Sequence, residues 1–323
     1  MNNAREYDLA IIGAGAAGLT AAQYGARANL KTLLVEQAAA GGQCLLIEGL
    51  ENYPGFPEPL SGAEFTERFE RQARQFGADF LVAGAEKLEK EDDRFRVQTS
   101  EGEIVAKAVI LATGAKHREL EVPGERELSG RGVSYCATCD GPFFKNKRIL
   151  LVGGGDAACD EAQFLAKLTD KLVMVHRRDR FRAQKSLAAR VEANPNIEIR
   201  FNTVVREILG KPSPFGIETV GAVRLADVES GKEYTEEFDA VFIFIGSIPR
   251  TGLVPNLEKD EGGYIKTDET MQTALTGLYA VGDVRATTFR QLVVAAGEGA
   301  VAAHAAAHYI DSLEGAAYEA LAV

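Results

Sequence analysis

The chain has 323 residues, which suits two domains better than one core, and its 46% hydrophobic and 26% charged content is that of an ordinary globular protein. A net charge of −11 argues against nucleic acid as the main partner. No apolar run reaches the ~18 residues of a membrane span, and the polar residues 1–8 carry no signal-peptide pattern, so a cytoplasmic protein with no membrane partner is expected.

Tyr7–Ile12 is an apolar run of buried-strand length, followed by Gly13-x-Gly15-x-x-Gly18. An Ala-rich segment from Leu19 to Asn29 reads as a helix, and Lys31–Val35 as the next strand, which completes a βαβ unit. In such a fingerprint the first glycine permits the tight turn and the second lets the backbone approach a pyrophosphate. The third lets the helix pack close to the strand. The helix start then offers N–H groups and a positive dipole end to the phosphates. Glu36 ends the second strand, where an acid accepts ribose hydroxyls. Strand, fingerprint, helix, strand and acid in this order predict a dinucleotide site.

Ala108–Ala115 is a hydrophobic strand closing on glycine. Next comes Cys136-Ala-Thr-Cys139-Asp140. The spacing allows a disulfide and a lowered thiol pKa, and Asp140 could move the proton that thiol exchange requires. Half a zinc site and two inert thiols are the competing readings. Structural zinc needs four ligands, and Cys44, Cys159 and four scattered His offer no paired spacing; no metal is expected.

The opening plan then recurs: strand Arg148–Val152, Gly153-Gly-Gly155-Asp156-Ala157-Ala158, a helix from about Cys159 to Leu168, and strand Lys171–Val175. Where the first copy has its acid, this one has His176-Arg177-Arg178 and then Arg182. Guanidinium forks bind a 2′-phosphate that an acid would repel, which predicts NADPH in preference to NADH. Ala240–Ser247 repeats Ala108–Ala115, and Gly277–Asp283 with an Ala-rich helix from about Gln291 to Tyr309 finishes the chain without a third fingerprint. The expected class is therefore α/β, with two Rossmann-like, doubly wound nucleotide-binding domains and the second inserted into the first. The boundaries read as 1–118, 119–246 and 247–323. The crossings near 116–122 and 246–252 contain Pro and Gly and are expected hinges.

Taken together, these residues resemble low-molecular-weight, bacterial-type thioredoxin reductase, of the pyridine nucleotide-disulfide oxidoreductases, over essentially the whole chain. The marks are the opening fingerprint, Gly41-Gly-Gln43, Glu51-Asn52-Tyr-Pro-Gly55, Ala112-Thr-Gly114, the Cys136–Asp140 motif, Gly153-Gly-Gly155, His176–Ala183, Gly282-Asp283 and Arg290-Gln291. The resemblance implies a homodimer with FAD in the first domain and NADPH in the inserted one. It also implies a redox-active Cys136–Cys139 disulfide, with thioredoxin or a thioredoxin-like disulfide protein as electron acceptor.

By the same resemblance Gly41, Gly42, Gln43 and Asn52 look like FAD contacts and Asp283 like the partner of the ribityl chain. Arg290-Gln291 sits at a predicted helix start that could face the flavin. Ala16, Ala17, Gln37, Thr113, Gly114, Gly282 and Leu292 join the expected cofactor contacts of the first domain, and Asp156, Ala157 and Gly246 those of the second. Cys139 looks like the thiol beside the flavin, Cys136 like the one that attacks the partner, and Asp140 like the acid/base. Three positions depart from the family. Cys44 lies where an apolar residue is more common, Asp156 where Asn or Ser often stands, and Leu292 where a small residue is usual.

Overall fold

The computed structural model describes residues 4–47, 50, 52–58, 60–212, 216–313 and 315; the side chains of Leu46 and Cys139 lie outside that description. The chain divides into two compact units, Met1–Lys116 with Ile248–Val323, and His117–Ser247.

The first unit opens with β1 (Arg5–Ile12), α1 (Ala16–Arg27) and β2 (Thr32–Glu36). After a 3-10 turn over Gly42–Leu46 come α2 (Gly62–Gln75), β3 (Asp79–Val82), β4 (Ala85–Glu91), β5 (Arg94–Thr99), β6 (Gly102–Leu111) and β7 (Ala115–His117). The second unit runs through β8 (Val133–Ser134), the single turn α3 (Ala137–Asp140), β9 (Ile149–Gly153), α4 (Asp156–Leu165) and β10 (Leu172–Val175). It continues with α5 (Lys185–Glu192), β11 (Ile197–Arg200), β12 (Thr203–Pro212), β13 (Glu218–Asp227), β14 (Glu233–Glu237) and β15 (Ala240–Phe244). The chain then returns through β16 (Ser247–Pro249) to β17 (Leu278–Ala280) and α6 (Leu292–Leu313). At the two crossings, β16 pairs with β7.

Both units have one plan. In the first, parallel strands lie in the order β3-β2-β1-β6-β17, and the opening half of β6 joins the antiparallel pair β4–β5. In the second, the parallel order is β11-β10-β9-β15-β8, beside an antiparallel β12-β13-β14 ribbon. A sheet covered on both faces needs strands that are apolar on both faces. That is why Leu9–Ile12 and Ile149–Val152 are continuous buried runs rather than alternating ones. Each parallel step then requires a crossover, and α1 and α4 supply it at equivalent places.

α6 lies on α1 through small residues. A Cβ on Gly299 would stand 2.2 Å from the Ala17 carbonyl oxygen, so glycine is what lets the two backbones approach. Ala302, Ala303 and Ala306 continue the contact into the first unit's core with Ala21 and Ala22. In the second unit Cys159 is fully buried between α4 and the sheet, among Leu151, Leu165, Met174 and Phe242.

Both fingerprint helices start three residues earlier than the apolar pattern alone predicts. Gly15 and Gly155 are their N-caps, in extended conformation, so the helix begins on the very next residue. α1 stops at Arg27 because Asn29 turns left-handed, at φ 61°. Leu168 closes an i−3 turn onto Leu165, which tightens the chain beyond the end of α4.

Candidate active site

The two glycine turns are built alike. A Cβ on Gly13 would lie 2.3 Å from the Ala112 carbonyl oxygen, and one on Gly18 only 1.9 Å from that of Gly13. Gly15, between them, faces open space within 4 Å. Gly153 and Gly155 repeat the contrast: 2.4 Å from the Phe244 carbonyl oxygen for the first, open space for the second. Ala158, in the third place, puts its methyl 2.6 Å from a Cβ on Gly153. Neither helix start is capped by a side chain. Close packing around an open middle glycine, at an uncapped helix N-terminus, is the cradle a pyrophosphate needs, and both dinucleotides fit this frame.

Around the first cradle, Glu36 is fixed by accepting the Ala14 N–H at 2.9 Å and the Ala38 N–H at 3.3 Å. The exposed Gln37 follows it. Ala16 and Ala17 are buried in the first turn of α1. Gly41, at φ 128°, donates its N–H to the Ala14 carbonyl at 2.7 Å, which brings the Gly41-Gly42 turn against the fingerprint; a Cβ on Gly42 would sit 3.8 Å from the Gly15 Cα. Gln43 donates its side-chain amide to the Ala115 carbonyl at 3.0 Å. Thr113 donates its hydroxyl to the Arg250 carbonyl at 2.8 Å, and Gly114 accepts the Arg250 N–H at 2.9 Å. A cleft of about 300 Å³ opens beside Glu36, lined by Ala14, Ala38, Ala40, Thr66, Phe80 and Val82 among others.

The far end of this unit supplies a second group. Asn52 donates its amide to the Gln291 side-chain oxygen at 2.9 Å, joining positions 239 residues apart. Leu292 packs onto a cluster that contains Ala16, Cys44, Leu50 and Phe65. Two departures from the family, Cys44 and Leu292, therefore sit in one apolar patch. Burial pushes the Cys44 thiol up, and the carboxylate of Asp283 adds to it. Asp283 itself is raised above the usual carboxylate range, first by burial, against the opposing charge of Arg290. The Arg290 guanidinium lies 3.9 Å from the centre of the Tyr264 ring.

Sequence reasoning missed Glu298 and Arg285. Glu298, only 7% exposed on α6, accepts the Gly282 N–H at 2.7 Å and pairs with Arg285 at 2.5 Å. The available signal was an acid in the Ala-, Gly- and Val-rich first half of the helix. Such an acid is costly to bury without partners.

In the second unit His176 is buried, and a Cβ on Gly154 would lie 2.4 Å from its Nδ1, so the ring lies directly on the glycine turn. Its Nε2 is buried without a hydrogen-bond partner. Burial, followed by the charges of Arg178, Arg177 and Arg182, lowers its pKa below 6.5. Arg177, Arg178 and Arg182 are exposed, and the Arg182 N–H donates to the Gly154 carbonyl at 2.7 Å. Asp156 accepts both the backbone and side-chain N–H of Gln184, at 2.8 and 3.0 Å, and Ala157 follows it in the first turn of α4. Gly246, at φ 115°, accepts the Arg118 N–H at 2.9 Å.

Cys136 precedes α3 and is disulfide-bonded, whereas Cys44 and Cys159 are free and buried. A sulfur held in a disulfide is not a thiolate for zinc. Ser134 brackets Cys136: its hydroxyl accepts the Cys136 N–H at 3.1 Å and donates to the Cys136 carbonyl at 3.2 Å. The Thr138 hydroxyl is 3.4 Å from the Cys136 sulfur. The Asp140 N–H donates to the Cys136 carbonyl at 3.2 Å. The expectation for the Cys139 thiol falls on a side chain outside the described set.

No helix among the described residues is long and apolar enough to cross a membrane. The chain is 52% identical to thioredoxin reductase of Treponema pallidum (strain Nichols), covering 96% of this chain and 99% of that one. It is 42% identical to thioredoxin reductase of Bacillus subtilis (strain 168), over 97% and 98%. The crystal structure of Lactococcus lactis thioredoxin reductase, 39% identical, matches with a TM-score of 0.90 over 95% of this chain and 99% of that one. The model of the pyridine nucleotide-disulphide oxidoreductase family matches residues 7–299, and the chain belongs to that family.

Proposed function

We propose that the protein is an NADPH-dependent thioredoxin-disulfide reductase. Electrons pass from NADPH to the Cys136–Cys139 disulfide, and from there to the disulfide of thioredoxin or a thioredoxin-like protein. The observation that carries this reading is the union in one chain of two open-glycine cradles and a disulfide at Cys136. FAD, when bound, supplies the two-electron link between nicotinamide and sulfur.

Gly13, Gly15, Gly18 and the first turn of α1 hold the FAD pyrophosphate, and Glu36 orients a ribose. Asp283, set on its turn by Glu298, takes the ribityl side, and Gln43, Asn52 and Gln291 line the approach. Gly153, Gly155 and the start of α4 hold the NADPH pyrophosphate. Arg177, Arg178 and Arg182 take the 2′-phosphate, and His176 stays neutral beneath them. The reduced Cys136 thiolate attacks the partner disulfide and displaces one of its thiolates. Cys139 then attacks the mixed disulfide, releasing the second thiolate and re-forming the Cys136–Cys139 bond. Asp140 moves the proton between thiol and leaving group. One NADPH with one proton is consumed for each dithiol formed. The active form in this reading is a cytoplasmic homodimer, and the free thiols of Cys44 and Cys159 suit a reducing compartment.

The test is NADPH oxidation by the FAD-loaded protein with a panel of oxidised thioredoxins. Turnover that depends on the disulfide protein is expected. Absence of NADPH consumption with every member of the panel overturns the proposal.

A further inference from the structure

Glu125 has no place in the chemistry above, yet it is fully buried. A buried carboxyl is costly unless every oxygen finds donors, and an apolar residue would fill the same space at lower cost. Glu125 has three donors. Its Oε1 accepts the Leu120 N–H at 2.7 Å and the Tyr135 hydroxyl at 2.8 Å, and its Oε2 accepts the Glu121 N–H at 2.6 Å. These donors come from two places. Leu120 and Glu121 lie just after the chain enters this unit, and Tyr135 immediately precedes Cys136.

The surroundings are built to keep the knot closed. Glu121 is left-handed at φ 61°, which aims its N–H inward. Gly124, at φ 84°, would place a Cβ 1.8 Å from the Ile208 carbonyl oxygen, and Ile208 donates its N–H to Pro123 at 2.9 Å. The loop therefore lies flat on β12. The Tyr135 ring stacks on His117, with centroids 3.8 Å apart and planes 16° apart. Burial, and then the Glu125 hydrogen bond, raises the Tyr135 hydroxyl above its ordinary pKa, so it remains a donor at neutral pH. Ser134 and Thr138 grip Cys136 from its own neighbourhood. The Glu125–Tyr135 bond is the grip that reaches back to residues 120 and 121.

We propose that Glu125 is a positioning residue for the redox centre: through Tyr135 it fixes the peptide that carries Cys136 to the segment by which the chain enters this unit, and so sets the orientation in which the Cys136 sulfur meets its reaction partner. The inference deepens the proposed function, but its test does not depend on it.

The test uses the full chain in a Cys139→Ser background, where Cys136 is the reactive thiol and Cys44 and Cys159 are buried. The rate of Cys136 alkylation by iodoacetamide is compared among the parent, Tyr135→Phe, Glu125→Gln and the double variant. Tyr135→Phe removes one donor and leaves the carboxyl its two amide partners. Glu125→Gln turns an NH₂ toward the Glu121 N–H. Each is expected to change the rate about fivefold, the scale of one hydrogen bond, with cooperative unfolding retained. The double variant is expected to fall short of the sum of the two single effects, because Glu125→Gln already weakens the bond from Tyr135 by exchanging a carboxylate acceptor for an amide oxygen. Rates within about twofold of the parent in folded variants, or additive effects in the double variant, overturn the proposal. If Glu125→Gln fails to fold, Tyr135→Phe alone decides. The assay contains no NADPH, flavin or thioredoxin, so a parent enzyme that never consumes NADPH removes the proposed function and leaves this inference standing.

Discussion

Glu298 and Gly282 are joined by a 2.7 Å hydrogen bond from the Gly282 N–H, which fastens the turn carrying Asp283 to the long helix α6. Gly282 is left-handed at φ 69°, a conformation glycine adopts at least cost. The same carboxylate holds Arg285, and both side chains are largely buried. The Asp283 position thus depends on a residue fifteen places further along the chain.

Glu298→Ala is expected to cost about 3–5 kcal/mol, because it leaves Arg285 buried and unpaired. Thermal denaturation of the flavin-free protein measures this cost. Flavin affinity should fall as well, since the Asp283 turn loses its anchor. A variant of parental stability and parental affinity contradicts this account.

Gly15→Ala and Gly18→Ala should behave in opposite ways. Gly15 has ordinary extended angles and open space, so a methyl there leaves the fold intact while obstructing the pyrophosphate. In Gly18→Ala the methyl meets the Gly13 carbonyl oxygen, and stability should fall by about 1–3 kcal/mol or more. The comparison is made by denaturation without flavin and by flavin titration. Equal stability losses for the two variants would count against the cradle.

Arg177→Ala and Arg178→Ala should each lower kcat/KM for NADPH by about ten- to a hundredfold, the scale of one charge-assisted hydrogen bond. Efficiency with NADH should stay the same. Parallel losses with both nucleotides would mean that these arginines do not read the 2′-phosphate.

His176 predicts a pH dependence of folding. Its folded pKa lies below 6.5, so the folded state resists protonation more than the unfolded state does. The stability contribution is complete above pH 6.5 and is lost as pH falls through the folded value, with a slope of at most about 1.4 kcal/mol per pH unit. Denaturant midpoints between pH 5 and 8 should show this fall in the parent, with a shallower one in His176→Gln. An unchanged slope in the variant would assign the fall to other groups.

The parts of the fold that were legible in the sequence are those where a chemical requirement leaves a residue signature. The paired fingerprints, the buried runs that follow them and the acid-to-arginine exchange at the ends of β2 and β10 are of that kind. The antiparallel ribbons were not. In β4, Lys87, Glu89 and Glu91 are exposed, and in β14 Glu233, Thr235 and Glu237 are exposed, so only thin apolar alternation marks them as strands. The helix starts lie three residues before the Leu19 and Cys159 that the sequence pattern points to, because the glycine itself is the cap. Glu298 and Glu125 were invisible for a different reason. Their partners are backbone N–H groups and one arginine or tyrosine, and no spacing in the sequence announces such a partnership. Asn52 with Gln291 was flagged at both ends, but their contact follows from topology alone.

The most direct measurement follows electrons from NADPH into sulfur. FAD-loaded protein is mixed anaerobically with a slight excess of NADPH, trapped with an alkylating reagent and mapped by mass spectrometry. The account predicts alkylation at both Cys136 and Cys139 that is absent without NADPH, with Cys44 and Cys159 unlabelled. A flavin absorbance that falls while Cys136 stays unlabelled would contradict it.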